Sequence, residues 1–153
     1  MAEKLDDLKY IKALDKSDML GLLIDLPGQI EKAMAIAKDA RLEMDIGSIS
    51  NVVFAGVGGS AIGGDVIKCC LADELNIPFI VNRDYFVTEF INSKTLFFAS
   101  SYSGNTEETI GAYKDAKKKS AKIIVITSGG ILEKMAKEDN YPVVKIPGGM
   151  PPR

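Results

Sequence analysis

Four hydroxyl side chains and a glycine lie together between residues 101 and 109, where an apolar run gives way to a helix-compatible stretch. A helix that begins there presents unpaired backbone N–H groups and the positive end of its dipole. Small residues let an anion approach those groups, and the hydroxyls add further donors, so the stretch predicts a phosphate site. The residues are Ser101, Ser103, Gly104, Thr106 and Thr109, after the apolar run 96–99.

The loop contains no lysine or arginine, so an anion bound there must be held mostly by oriented dipoles. An alternative stays open, in which these residues only form a turn. Thr106 would then be the N-cap of the helix, and Glu107 and Glu108 would be the acids favoured in a first turn. An ordinary cap requires one such residue, and the clustering of several favours the anion site.

A second small-residue loop follows the apolar run 52–55. It reads Gly56-Val57-Gly58-Gly59-Ser60, with Ser60 expected at or near the N-cap of the next helix. Its glycine spacing fits the loose dinucleotide fingerprint, but Asp84, the carboxylate after the next strand, lies beyond the expected spacing. A purely structural turn is the other alternative. A P-loop is excluded because no Gly-Lys-Ser/Thr follows.

Composition and charge argue against several classes of protein. The chain has 153 residues, of which 46% are hydrophobic and 26% charged, as in ordinary globular domains. A net charge of −2 gives no basic excess, which argues against nucleic acid as a partner. No apolar run reaches membrane-spanning length and the N-terminus has no signal-peptide pattern. We therefore expect no membrane partner and a cytoplasmic location.

The chain contains no histidine, and its two cysteines, Cys69 and Cys70, are adjacent. Histidine is the commonest acid/base group and the commonest metal ligand, so no metal site is predicted. Adjacent cysteines cannot join distant segments. We interpret them as reduced residues that pack on a helix.

Apolar segments alternate with helix-compatible stretches from residue 51 onward. Most of the apolar segments are short and β-branched on both faces, which is typical of a parallel sheet covered on both sides. We predict an α/β fold with a doubly wound five-stranded parallel sheet, with both loops at the carboxyl ends of its strands. The predicted strands are 52–55, 78–81, 95–99, 123–126 and 143–146, and the predicted helices are 61–71, 107–119 and 131–137.

Residues 17–44 are predicted to form helices that precede this sheet. Ser17 and Asp18 are expected to cap a short first helix, and Pro27 suits the first turn of a second. The tail 147–153 is rich in glycine and proline and predicts a linker. The expected organisation is a helical segment over residues 1–50, a domain over 51–147 and a linker over 148–153 toward a further domain.

Taken together, the two loops resemble those of the sugar isomerase (SIS) domain. The resemblance covers roughly residues 51–153. With the terminal Pro-Gly-Gly-Met-Pro-Pro-Arg, it is most similar to the first half of the bifunctional phosphoglucose/phosphomannose isomerases. The pattern is Gly56-x-Gly58-x-Ser60 after the first strand and Ser101-x-Ser103-Gly104-x-Thr106-x-Glu108-Thr109 after the third.

That resemblance implies a function. Members of the family interconvert glucose 6-phosphate or mannose 6-phosphate with fructose 6-phosphate. They carry two SIS domains in one chain and act as dimers, without metal or nucleotide. The resemblance assigns the sugar phosphate to Ser101, Ser103, Gly104 and Thr106, the sugar to Gly58, Gly59 and Ser60, and stabilisation of the enediolate to Arg153.

In that family the catalytic base is a glutamate and the ring-opening group a histidine, both from the second SIS domain. This chain offers no counterpart to either, so we expect it to bind sugar phosphate weakly and not to turn it over. Two alternatives stay open. One is a stand-alone SIS domain that senses a sugar phosphate. The other is a single-domain SIS isomerase for another phosphosugar, with Glu107 or Glu108 as its base.

Overall fold

A computed structural model describes residues 6–40, 42 and 44–150 of the chain. These residues divide into two compact units. One comprises residues 6–39 with 149–150, and the other comprises residues 40–148. Among the helices of the described residues, none is long and apolar enough to cross a membrane.

The first unit contains the helices α1 (Leu8–Leu14), α2 (Met19–Ile24) and α3 (Leu26–Asp39). The sequence analysis did not predict α1. Asp7 begins it, because its carboxylate accepts hydrogen bonds from the backbone N–H of Lys9 at 2.9 Å and of Tyr10 at 3.3 Å.

The predicted cap of α2 is wrong. Asp18 occupies the N-cap position with a φ of 51° and its side chain makes no capping bond. The carboxylate of Asp15 caps the helix instead, accepting from the N–H of Met19 at 2.7 Å and of Leu20 at 2.8 Å. Pro27 lies in the first turn of α3, as predicted, where its missing N–H costs nothing.

Within the described part of the second unit, five parallel strands form one sheet in the order β2-β1-β3-β4-β5. This confirms the predicted doubly wound fold. The strands are β1 (Asn51–Ala55), β2 (Phe79–Asn82), β3 (Thr95–Ser101), β4 (Lys122–Thr127) and β5 (Val143–Lys145), and the helices are α4 (Gly59–Cys70), α5 (Glu107–Lys118) and α6 (Gly130–Glu138).

Helices cover both faces of the sheet. Successive strand residues point to opposite faces, so Val53 and Phe54 of β1 mark the two sides. Gly64 of α4 lies against the ring of Phe54, where a Cβ would come within 2.7 Å of a ring carbon. Val53 belongs to the main hydrophobic core on the other face, with buried residues of α5 and α6 such as Tyr113 and Leu132.

The strand order places both predicted loops at one point of the sheet. β1 and β3 are neighbours, with Ala55 paired to Ala99, and each loop leaves from the carboxyl end of its strand. β2 pairs with one side of β1 and β3 pairs with the other, so the direction in which strands are added to the sheet reverses at β1. Doubly wound sheets bind their ligands at such a reversal, so this edge is the candidate site.

Two local expectations are corrected. β3 runs two residues further than predicted, because Ser100 and Ser101 continue the pairing with Ile126 and Thr127 of β4. Cys69 and Cys70 lie on α4, as predicted, but both are exposed, so their assignment as packing residues is wrong.

Candidate functional site

The loop from Ser101 to Thr106 is held by a pair of hydroxyl groups. Ser101 ends β3 and is buried. Its Oγ accepts a hydrogen bond from the N–H of Gly104 at 3.1 Å and lies 2.9 Å from Oγ1 of Thr106. A hydroxyl has one proton to donate, and only one of the two protons is needed to join the pair. The proton of the other hydroxyl is therefore not used by this pair.

Thr106 is the N-cap residue of α5, but its hydroxyl pairs with Ser101 and makes no capping bond to the helix. The position is the one that an ordinary cap would take, with Glu107 and Glu108 in the first turn. Because the cap bond is not made, Thr106 leaves the first amides of α5 to another acceptor. An anion at these amides stays a prediction, and the structure leaves the position open to one.

Ser103 lies at the exposed tip of the loop, where its Oγ accepts from the N–H of Asn105 at 3.2 Å. The next residue, Gly104, has a φ of +68°. A Cβ at that position would lie 1.7 Å from the carbonyl oxygen of Gly129. Backbone conformation and close approach therefore both require glycine.

The loop after β1 is built from glycine in a similar way. Gly58 is the N-cap of α4 with a φ of +56°, and glycine has no side chain to cap the helix. α4 begins at Gly59, two residues earlier than predicted, so Gly59 and Ser60 lie in its first turn. Gly56 is buried, and a Cβ there would come within 3.1 Å of the carbonyl oxygen of Ser100.

A hydrogen bond joins the two loops. Oγ of Ser60 accepts from the backbone N–H of Tyr102 at 3.3 Å. The structure thus brings the α4 start, with Gly58 and Gly59, against the 101–106 loop. Arg153, the remaining predicted site residue, lies outside the described residues.

Sequence analysis missed a third loop at the same edge. Residues 127–130 read Thr-Ser-Gly-Gly and connect β4 to α6. Ser128 Oγ donates to the carbonyl oxygen of Tyr102 at 2.6 Å, and the Ser128 N–H donates to the same oxygen at 3.1 Å. The signal was present, because small and hydroxyl residues again stand where an apolar strand meets a helix.

The three loops contain no lysine or arginine, so the positive charge that they offer an anion is the partial charge of helix starts. α4, α5 and α6 all begin there, and each helix start carries a partial positive charge. On α6, Glu133 binds the ammonium groups of Lys137 and Lys145, each at 2.7 Å. Hydrogen bonds from these two lysines, Lys137 first, hold the pKa of Glu133 below its usual range.

The first-turn acids of α5 lie near an exposed tyrosine. Tyr85 Oη is 3.5 Å from Oε2 of Glu107. The negative charge of Glu108, more than that of Glu107, raises the pKa of Tyr85. Carboxylates at this position are favoured by the helix dipole, which explains them without a catalytic role.

Comparison with known proteins identifies the family. The profile of the SIS domain matches residues 45–141. A bifunctional phosphoglucose/phosphomannose isomerase of Caldicellulosiruptor bescii is 50% identical over 135 residues, which are 88% of this chain and 40% of that protein. The enzyme of the same name from Thermoplasma acidophilum is 46% identical over 107 residues, 70% of this chain and 32% of that protein.

A solved structure supports the fold. Tagatose-6-phosphate ketose/aldose isomerase from Escherichia coli superposes with a TM-score of 0.54 at 22% identity, covering 86% of this chain and 35% of that one. The chain therefore spans less than half the length of these relatives.

Proposed function

This chain belongs to the SIS domain family, and we propose that it is the sugar-phosphate-binding half of an aldose–ketose isomerase. The reaction would interconvert glucose 6-phosphate or mannose 6-phosphate with fructose 6-phosphate. The observation that carries the proposal is the Ser101–Thr106 hydroxyl pair beside the uncapped start of α5. The relatives support it over a stand-alone sensor, because those at 50% and 46% identity are named isomerases.

In this proposal the phosphate lies over the 101–106 loop. Ser103 is exposed at its tip, and the Ser101–Thr106 pair contributes a hydroxyl proton from below. Backbone amides around Gly104 and at the start of α5 supply the remaining donors. No formal positive charge is needed, because aligned dipoles favour an anion at a helix start.

The sugar would extend toward the start of α4, past Gly58, Gly59 and Ser60. The Ser60–Tyr102 hydrogen bond places that helix start directly beside the phosphate loop. Arg153 would stabilise the enediolate oxygen with a guanidinium that stays protonated. The chain approaches this edge after β5, since a Cβ on Gly148 would lie 3.7 Å from Cβ of Ser128.

The chemistry divides between binding and proton transfer. Isomerisation opens the sugar ring, and a base then takes the proton from C2 of the aldose and returns it to C1 of the ketose. The chain has no histidine, and the acids beside the phosphate loop are explained as first-turn residues. We expect these 153 residues to hold the sugar phosphate and to leave it chemically unchanged.

The wider organisation follows the same proposal. Residues 51–147 would form the SIS domain, preceded by a helical segment over 1–50 and followed by a linker over 148–153. The active enzyme would be a cytoplasmic homodimer in carbohydrate metabolism, at a step shared by glycolysis and gluconeogenesis, and would need no metal or nucleotide.

Isothermal titration with fructose 6-phosphate tests the proposal. The wild-type chain should bind it and should not bind unphosphorylated fructose at the same concentration. The double variant Ser101→Ala/Ser103→Ala should weaken binding by about tenfold or more, because two hydroxyl donors to a charged group are lost. Equal binding of fructose, or wild-type affinity in the double variant, would contradict the proposal.

A further inference from the structure

The loop after β4 and the first turn of α6 contact the 101–106 loop at three of its residues. The carbonyl oxygen of Tyr102 accepts hydrogen bonds from both the hydroxyl and the N–H of Ser128. The carbonyl oxygen of Gly104 accepts from the N–H of Leu132 at 2.9 Å. The side chain of Asn105 also takes part, because its Oδ1 accepts from the N–H of Ile131 at 3.0 Å. The 101–106 loop is therefore held at three residues, each of which accepts hydrogen bonds from residues 128–132.

The loop after β4 is itself held in shape by a buried side chain. Oγ1 of Thr127 donates to the carbonyl oxygen of Gly129 at 2.8 Å and accepts from the N–H of the same residue at 3.2 Å. Thr127 is fully buried and pairs with Ser101 in the sheet. Ser128 therefore follows a buried, hydrogen-bonded strand residue, which fixes its position beside Tyr102.

A fixed loop matters because, in the proposed phosphate site, the backbone N–H groups must point at the phosphate to bind it. Between Ser101 and Thr106 there is no side chain with a positive charge that could follow a displaced phosphate. Hydrogen bonds from backbone amides weaken steeply when the donor direction changes. A loop that moves by a fraction of an ångström would lose affinity, although every one of its residues is present.

We propose that Ser128 and Asn105 are positioning residues that hold the 101–106 loop in the conformation that binds the sugar phosphate. This inference rests on the proposed function. Neither side chain is expected to touch the phosphate. Ser128 fixes the backbone of Tyr102, and Asn105 ties the end of the loop to the start of α6.

The test uses the full chain as wild type and as Ser128→Ala, Ser128→Thr and Asn105→Ala. Exposed Ser93, in the turn before β3 at the opposite edge of the sheet, supplies the control variant Ser93→Ala. Three quantities are measured for each protein. They are deuterium exchange of the amides of residues 102–106 without ligand, the Kd for fructose 6-phosphate, and the urea midpoint of unfolding.

Ser128→Ala and Asn105→Ala should each speed exchange in residues 102–106 and raise the Kd roughly three- to tenfold, the effect of about one lost hydrogen bond. The Kd is measured where all variants are folded, so a lower urea midpoint alone would not change it. Ser128→Thr keeps the hydroxyl and should restore both values. Ser93→Ala should match the wild type.

Wild-type exchange and Kd in Ser128→Ala and Asn105→Ala would overturn the inference, and so would failure of Ser128→Thr to restore them. A wild-type chain that does not bind fructose 6-phosphate would instead overturn the proposed function, whereas the exchange of residues 102–106 would still report whether Ser128 and Asn105 hold the loop. The exchange measured without ligand separates these two failures.

Discussion

At the scale of single residues, the site depends on side chains that act on their own loop before they act on a ligand. Ser101 is buried and bonded within the loop, whereas Ser103 is exposed at its tip. The two serines therefore serve different purposes, although both were predicted from one pattern. Ser101 sets the loop geometry and pairs with Thr106, and Ser103 is the exposed hydroxyl that the proposed ligand could reach.

Gly104 gives the clearest prediction at this scale. Gly104→Ala should lower the free energy of unfolding by roughly 2 kcal/mol or more, because the left-handed backbone and the contact with Gly129 both resist a Cβ. Urea unfolding measures the change. Gly63 is the matched control, since it is an exposed glycine within α4 with open space around its Cβ position.

Gly63→Ala should leave the protein unchanged or raise its stability by roughly 0.5–1 kcal/mol, as alanine does in place of glycine inside a helix. Equal effects of the two substitutions would show that the backbone of the 101–106 loop is not constrained as described.

The residue types of the site could be predicted from sequence, but their hydrogen bonds could not. Hydroxyl and glycine clusters after strands indicated both loops, because few other residues fit a helix start that faces an anion. Which hydroxyl caps, pairs or stays exposed depends on neighbouring strands. Ser101 is buried because β3 extends along β4, and that extension is set by pairing across the sheet rather than by local sequence.

At the scale of elements, the helices on the α5/α6 face are tied together by one carboxylate. Asp139, just after α6, accepts from the hydroxyl of Tyr113 at 2.6 Å and from the ammonium group of Lys117 at 2.5 Å, both on α5. Lys117, and then Tyr113, hold the pKa of Asp139 below its ordinary value of 3.8. α5 and α6 both begin at the site, so this tie helps fix their starts relative to each other.

Asp139→Asn should therefore destabilise the protein at neutral pH, where the wild-type carboxylate is charged. A carboxyl group with a lowered pKa in the folded state stabilises above its unfolded pKa, and that contribution is lost as pH falls through the folded value. The difference in unfolding free energy between wild type and Asp139→Asn should shrink as pH falls below 3.8, the ordinary value. Urea unfolding at neutral and acidic pH measures it.

Lys117→Met provides the matching control, because it removes the strongest partner of Asp139. In the background of Lys117→Met, the Asp139→Asn substitution should cost less at neutral pH than it does in the wild type. A cost that is the same at every pH, with or without Lys117, would contradict the assigned role of the ion pair.

The strands, and their alternation with helices along the chain, were easier to predict than the residues at which helices begin. Five short apolar segments alternate with helices along the chain. Strands that are apolar on both faces are typical of a parallel sheet covered by helices, and the structure has that sheet. Helix starts depend on which polar side chain reaches which amide. α1 was missed and the cap of α2 was wrong because Asp7 and Asp15 reach forward to amides two to five residues away.

At the scale of the whole molecule, the strand order brings three loops together at one edge of the sheet. β1, β3 and β4 are consecutive in the sheet, so the loops that follow them meet at one edge. The backbone of Tyr102 joins all three, because its N–H donates to Oγ of Ser60 and its carbonyl oxygen accepts from Oγ of Ser128. Sequence periodicity predicted the strands, but the meeting of the third loop with the first two becomes evident only from the order of the sheet.

The most direct test of the central claim is to locate the bound phosphate on the isotope-labelled chain by amide chemical-shift changes. Addition of fructose 6-phosphate should shift the amides of residues 101–108 and 58–60, and unphosphorylated fructose should leave them in place. Shifts of that kind would establish the edge formed by these loops as the sugar-phosphate site. Shifts confined to other parts of the chain, or the same shifts with fructose, would contradict it.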